Sequence, residues 1–235
     1  MSLRLSLVAL GGLFTASVLA LGLGPRTAPA AVQRAPGAAP SAKPAVESPV
    51  KAAQPSRFAS LPALRIENQT TRRALTVRLY DDAGAIDEAA ATQLDDVLCD
   101  ARDPKELKVG HINRRTLQLL FKAAYHFAVS DVQVVSGYRK PGRRREGPHG
   151  TGAAIDFRLP TVSASALASY LRELPRTGVG VYTHPKTQYV HLDTREHSFH
   201  WLDASPPRRH WREKSIGARD LARRDESYSP LLDLP

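Results

Sequence analysis

From about Phe58 onward, apolar and polar positions switch between the period of a strand and the period of a helix. LPALRIEN and ALTVRLYDD alternate in short runs around the polar turn QTTRR, which predicts a β-hairpin. Asp87 then stands as an N-cap before a helix through Asp100, with Ala91, Leu94, Val97 and Leu98 as its apolar stripe. Asn113 caps a second helix through Ala128, where Leu117, Leu120, Phe121, Ala124 and Tyr125 recur at helical spacing. DVQVVSGYR is a β-branched strand ending in a glycine turn that leaves Ser136, Tyr138 and Arg139 at its mouth. A third helix runs from Ser163 to Leu174 and stops at Pro175. GVGVY and TQYVHLD read as paired strands around a turn at Thr183 to Lys186.

The polar faces of two of these strands carry the chemistry. GPHGTGAAIDFRL turns on its glycines into a strand from Ala153, with Ala154, Asp156 and Arg158 on one face and Ile155 and Phe157 on the other. In YVHLD, Tyr189, His191 and Asp193 share a face opposite Val190 and Leu192. His149, Asp156 and His191 together make the inventory of a zinc site with one position left open. Two imidazoles and a carboxylate supply nitrogen and oxygen donors, and the fourth position holds a water whose pKa the metal lowers toward neutrality. Hydrolysis also needs a proton acceptor and a cation beside the oxyanion, for which Asp193 and Arg139 are the candidates.

Composition sets the frame around this site. The chain has 235 residues, 42% hydrophobic, which suits one ordinary domain with appendages. A formal net charge of +10 favours an anionic partner: nucleic acid, a membrane surface or an acidic wall polymer. The basic residues are not interleaved with stacking aromatics, which argues against nucleic acid. Cys99 is the only cysteine, so an internal disulfide and a thiolate metal cluster are both excluded, and the residue reads as a packed side chain. Arg4 precedes the uncharged run Leu5 to Leu23, followed by an Ala-Pro-Ala stretch at 28–30, which is a secretory signal or a signal anchor over residues 1–30. Residues 31–57 are an Ala/Pro-rich linker that cannot bury enough surface to order itself. The catalytic domain is expected over 58–203, with a basic, flexible tail at 204–235. His111 and His126 have no metal-binding neighbour at suitable spacing and read as structural or solvated, and His197, His200 and His210 belong to the tail or its edge and are assigned no metal role.

The pattern HxxGxAxD at His149, Gly152, Ala154 and Asp156, preceded by SGYR at 136–139 and followed by VHLD at 190–193, resembles the zinc D,D-peptidases of the LAS superfamily. Within it the chain looks most like the murein endopeptidase K type, from about Leu64 to Trp201. The resemblance implies a small single α+β domain, hedgehog/D,D-peptidase-like, whose antiparallel sheet carries the metal ligands with helices packed on its other side. It implies Zn²⁺ held by His149, Asp156 and His191, substrate binding by Ser136, Tyr138 and Arg139, and a D,D-endopeptidase acting on peptidoglycan peptide stems. The alternative is a wall-binding module that keeps the fold without catalysis. Gln188 and Tyr189 stand where relatives carry a carboxylate or a histidine as general base, so that role stays open among Asp193, His184 and a further residue. An exported, periplasmic monomer is expected, soluble or anchored to the inner membrane by residues 5–23, with no nucleic-acid partner.

Overall fold

The computed structural model describes residues 56–100, 110–140 and 147–235, apart from 208, 210, 212 and 218. The N-terminal signal, nearly all of the linker and most of the basic loop after Arg139 lie outside the described residues.

The predicted hairpin forms from β1 (Leu64–Asn68) and β2 (Ala74–Val77). Helix α1 (Glu88–Leu98) starts where the Asp87 carboxylate accepts from the amides of Ala89 and Ala90. Helix α2 (Arg114–His126) starts where Asn113 accepts from Arg115 N. Helix α3 (Ala164–Leu171) starts where Ser163 accepts from Ala166 N. Each cap satisfies an amide that has no partner inside its helix. The helices end two or three residues earlier than periodicity suggests; α2 is closed by Ala128, whose φ of 51° cannot continue a right-handed helix. The remaining strands are β3 (Asp131–Ser136), β4 (Ala154–Arg158), β5 (Thr177–Tyr182), β6 (Tyr189–Thr194), β7 (Phe199–Asp203) and the short β8 (Lys214–Ser215).

They form one sheet in the order β2-β1-β3-β4-β6-β5-β7-β8. The sheet is mixed, which corrects the antiparallel expectation: β1 runs parallel to β3, and β5 parallel to β7. The segment containing α1 and α2 carries the chain back so that β3 starts in the same direction as β1, the long crossover a parallel pair needs. After β6 the chain passes to the far side of β5 and lays β7 beside it. Alternation along a strand encodes which face is buried and carries no information on direction.

The core lies on one side of this sheet. Val132, Val134, Ile155, Phe157, Val179, Val190 and Leu192 meet Leu117, Leu120, Phe121, Leu167 and Leu171 of the helices, all essentially inaccessible. Burying such side chains contributes about 1.5–3 kcal/mol each, against the entropy of ordering them. The opposite face of β4, β5, β6 and β7 is left free to carry polar groups.

The C-terminal segment is folded onto the domain, where its charge content suggested a flexible tail. Beyond β8 it forms α4 (Leu221–Glu226) and a 3-10 turn at Pro230–Asp233. Asp225 accepts from Arg176 N, Ser198 N and Ser198 Oγ, each at 2.6 Å. Asp233 pairs with Arg115 Nε at 2.9 Å and accepts from the Tyr228 hydroxyl at 2.7 Å. Isolated charges along a sequence look solvated; here the partners lie more than a hundred residues away in one case and about fifty in another.

Asp225→Ala leaves buried donors unpaired and should cost about 1–3 kcal/mol, read by chemical denaturation. Burial would raise the Asp225 pKa, but the donors from Ser198 and Arg176 outweigh it and hold the carboxyl below its ordinary value of 3.8. Its contribution is therefore present at neutral pH and fades as the pH falls through and below that value. The wild type should lose stability over that window more steeply than Asp225→Ala does.

Candidate metal centre

Strand register builds the site. Asp156 on β4 lies opposite His191 on β6, and Ala154 lies opposite Asp193. Those pairings explain the spacing of the sequence motif: Asp156 and His191 share a face, and Ala154 is small where Asp193 crosses. Gly152, which turns the chain into β4, has φ of +73°, and a Cβ there would lie 1.8 Å from the carbonyl oxygen of His111. Only glycine fits that turn.

His149 comes in from the loop before β4. Its Nδ1 faces the Gly137 carbonyl at 2.8 Å, and since a carbonyl can only accept, Nδ1 carries the proton and Nε2 is the free nitrogen. That Nε2 lies 3.3 Å from Asp156 Oδ1. His191 Nδ1 approaches the same oxygen at 2.8 Å. One ligand atom from each of the three buried residues fits within 4.8 Å of the others. On its far side, His191 Nε2 meets Asp193 Oδ2 at 3.0 Å, and Arg195 donates to both oxygens of Asp193, with Nε at 2.6 Å from Oδ1.

The electrostatics follow from this packing. Burial opposes the charge on Asp156, yet the two imidazoles hold its carboxyl well below the usual range. Burial would likewise keep His191 neutral, but Asp156 and Asp193 raise its pKa to about 9. The cluster thus favours a positive charge at His191, a charge that a divalent cation held by the three side chains would supply in its place. The nitrogen, oxygen, nitrogen donor set fits zinc, and an imidazole backed by a carboxylate on its other nitrogen is the usual second layer of such a site.

A cavity of about 640 Å³ opens over these residues, lined also by Arg139, Tyr182, Tyr189, Arg195, Phe199, Trp201, Asp203 and Glu213. Arg139 is at the exposed rim. Ser136 and Tyr138 do not line it: the Ser136 hydroxyl donates to Asp100 Oδ2 at 2.7 Å, and Tyr138 is buried, its backbone bridged to Cys99. His184 is in the turn before β6, where its Nδ1 accepts from Lys186 N at 3.2 Å, outside the cavity lining. His111 is held by Asp95, and His126 stacks on Tyr170. His210 lies outside the described residues.

Sequence reasoning missed the far wall of the cavity, β7, whose Trp201 and Phe199 stack with centroids 5.8 Å apart. The signal that could have found it is the alternating pair of glycines in GVGVY. Gly180 lies between His191 and Trp201 in register, and a Cβ there would come within 2.4 Å of the Trp201 ring. A glycine inside a strand marks such a close approach.

A family model matches residues 57–201, more than half of the chain, and puts it among the M15-like peptidases. That model describes the peptidoglycan L,D-endopeptidase MepK, and the chain belongs to this family. No curated protein and no solved structure matches the chain.

Gly180→Ala should displace the Trp201 ring from its seat beside His191. The expected outcome is a loss of about 1–3 kcal/mol from overpacking, with a shifted tryptophan emission spectrum; an unshifted spectrum with wild-type stability would show that the ring does not rest there.

Proposed function

We propose that this chain is a zinc-dependent endopeptidase that hydrolyses peptide cross-links of peptidoglycan. The observation that carries the reading is the convergence of His149 Nε2, Asp156 Oδ1 and His191 Nδ1 on one point at the floor of an open cavity. Bound there, zinc would supply a water acidic enough to attack an amide at neutral pH. His149, Asp156 and His191 would hold the metal, each fixed in orientation by strand register or by the Gly137 carbonyl.

Asp193 was a candidate for the proton acceptor. Its oxygens are engaged by His191 and Arg195 and it is 1% exposed. We assign it instead to orienting His191, the alternative role open to a carboxylate at that position. The carboxylates of the cavity lining that remain for proton transfer are Asp203 and Glu213. Arg139, exposed at the rim, is placed to meet a carboxylate or carbonyl of the peptide stem, and the +10 charge suits an acidic wall polymer.

The bond cut is part of the proposal. The motif led to the expectation of a D,D link, whereas the family is named for an L,D link; we take the L,D link as the preferred substrate. The substrate lies outside the cytoplasmic membrane, so the reading includes export through the N-terminal segment, to a periplasmic enzyme that is free or anchored by residues 5–23.

The test is incubation of the purified full chain with muropeptides cross-linked through an L,D or a D,D bond, with and without zinc. Zinc-dependent cleavage, faster on the L,D link, is the expected result, and faster cleavage of the D,D link would reverse the assignment of the bond. His149→Ala should abolish both zinc binding and cleavage. Activity that survives metal removal and His149→Ala would overturn the zinc mechanism, and a zinc-loaded chain that binds muropeptides without cutting them would establish the wall-binding module in its place. Asp193→Asn should weaken zinc binding about 10–100-fold, measured by chelator competition. Asp203→Asn and Glu213→Gln identify the proton acceptor as the variant that loses the acidic limb of the kcat/KM profile.

A further inference from the structure

The candidate metal centre occupies one side of the cavity, and strand register shows what lies on the other. Asp156 on β4 faces His191 on β6, His191 faces Gly180 on β5, and Gly180 faces Trp201 on β7. That row crosses three strand spacings, about 14 Å at the usual separation. An extended peptide advances about 3.3–3.6 Å per residue, so a substrate laid along the row reaches the β7 side within about four residues. Arg139 belongs to the β4 side, where its backbone N–H donates to the His149 carbonyl at 3.1 Å.

The β7 side is walled by residues past the end of the family match at 201. Asp203, Ser205, Pro206, Pro207, Arg209 and Glu213 all line the cavity. Polar groups of the same segment hold it in shape. Asp203 Oδ1 accepts from Ser205 N at 2.6 Å, Ser205 Oγ accepts from Trp211 N at 2.9 Å, and the Pro206 carbonyl accepts from Arg209 N at 3.1 Å. Two consecutive prolines contribute fixed φ angles, and the pairing of Trp201 with Ser215 and of Leu202 with Lys214 closes the connection to β8.

Within this wall Arg209 is exposed, and it makes no ion pair with a described carboxylate although Asp203 and Glu213 line the same cavity. Arg195, by contrast, is committed to both oxygens of Asp193. An uncommitted guanidinium on a braced loop presents the planar fork that matches a carboxylate. We propose that Arg209 is a second carboxylate-binding residue of the substrate cleft, meeting a stem peptide on the β7 side of the metal centre while Arg139 meets it on the β4 side. The inference rests on the peptidase reading above and adds a requirement to it: the substrate continues on both sides of the cut bond and carries a free carboxylate on each. A cross-linked stem meets that requirement, and a single residue at a chain end does not. The Arg209 contact is made alike in bound substrate and in the transition state, so it acts on KM rather than kcat.

The test titrates the zinc-free full chain with a cross-linked stem peptide carrying free carboxylates, and with versions in which each carboxylate in turn is a carboxamide. Arg209→Gln should bind the free-acid peptide about five- to tenfold more weakly than wild type does, and one carboxamide version should bind both proteins equally. Arg139→Gln should lose its discrimination at a different carboxylate. In the zinc-loaded chain, Arg209→Gln should raise KM by the same factor and leave kcat within about twofold. Binding of the free-acid peptide by Arg209→Gln within about twofold of wild type, or a loss that no carboxamide version abolishes, would overturn the role of Arg209, while cleavage by the wild type would still uphold the peptidase reading. The same carboxylate read by both arginines would overturn the two-sided arrangement. A zinc-loaded wild type that binds the peptide through Arg209 without cutting it would overturn the peptidase reading and leave the Arg209 contact standing. A wild type that binds none of the peptides would overturn both.

Discussion

The imidazole of His191 is held between two carboxylates, Asp156 at 2.8 Å on one nitrogen and Asp193 at 3.0 Å on the other, and all three side chains are buried. Buried charge of this density is tolerable only when every member is paired, because removing one partner strands the others in a medium that solvates them poorly. Arg195 completes the set by neutralising Asp193 from behind. The two carboxylates face one imidazole and one guanidinium, and His149 Nε2 reaches the same Asp156 oxygen at 3.3 Å, so the three buried side chains could hold a metal ion. This arrangement fixes the register of β4 against β6, since a slip of one residue would turn the cluster into the apolar core.

The sheet serves both faces of that constraint. Ile155, Phe157, Val190 and Leu192 point into the helices from the same strands that present Asp156, His191 and Asp193 to the cavity. The polar face then needs room, because an imidazole, an indole and an Asp–Arg pair crowd together on it. β5 supplies it with glycine at 178 and 180: a Cβ at 178 would meet Asp193 Oδ2 at 2.3 Å, and one at 180 would meet the indole. The strand keeps its buried valines on the other face, at 179 and 181.

This division explains what was legible in the sequence. Local features were readable because their causes are local: Asp87, Asn113 and Ser163 cap the helices they precede, and strand alternation assigned Asp156 and His191 to a polar face. The three residues that could hold a metal were visible because one motif packs His149, an obligatory glycine and Asp156 into one turn and strand, and a second, VHLD, carries His191. The direction of β1 relative to β3 was not visible, since it depends on a crossover. Nor was the role of β7, where Phe199 and Trp201 are separated from their partners on β5 by the whole β5–β6 hairpin. Asp193 shows the limit most clearly. Sequence placed it beside His191 on one face, and only the position of Arg195 showed that its oxygens are occupied.

The C-terminal segment belongs to the same logic. Asp225 gathers the amides of Arg176 and Ser198, the residues just before β5 and β7, and Ser198 Oγ also accepts from Thr177 N at 3.1 Å. Arg195 N donates to the Arg176 carbonyl at 3.1 Å, joining the loop after β6 to the same knot. One carboxylate thus ties together the starts of the two strands that carry the glycine floor and the aromatic wall, at the end where Asp193 and Arg195 lie. Because β5 and β7 run parallel, their N-terminal ends are adjacent, and a single anchor holds both. The mixed topology places the restraint where the second layer of the site requires it, and a charged tail that reads as solvent-facing in the sequence becomes part of what keeps His191 in place.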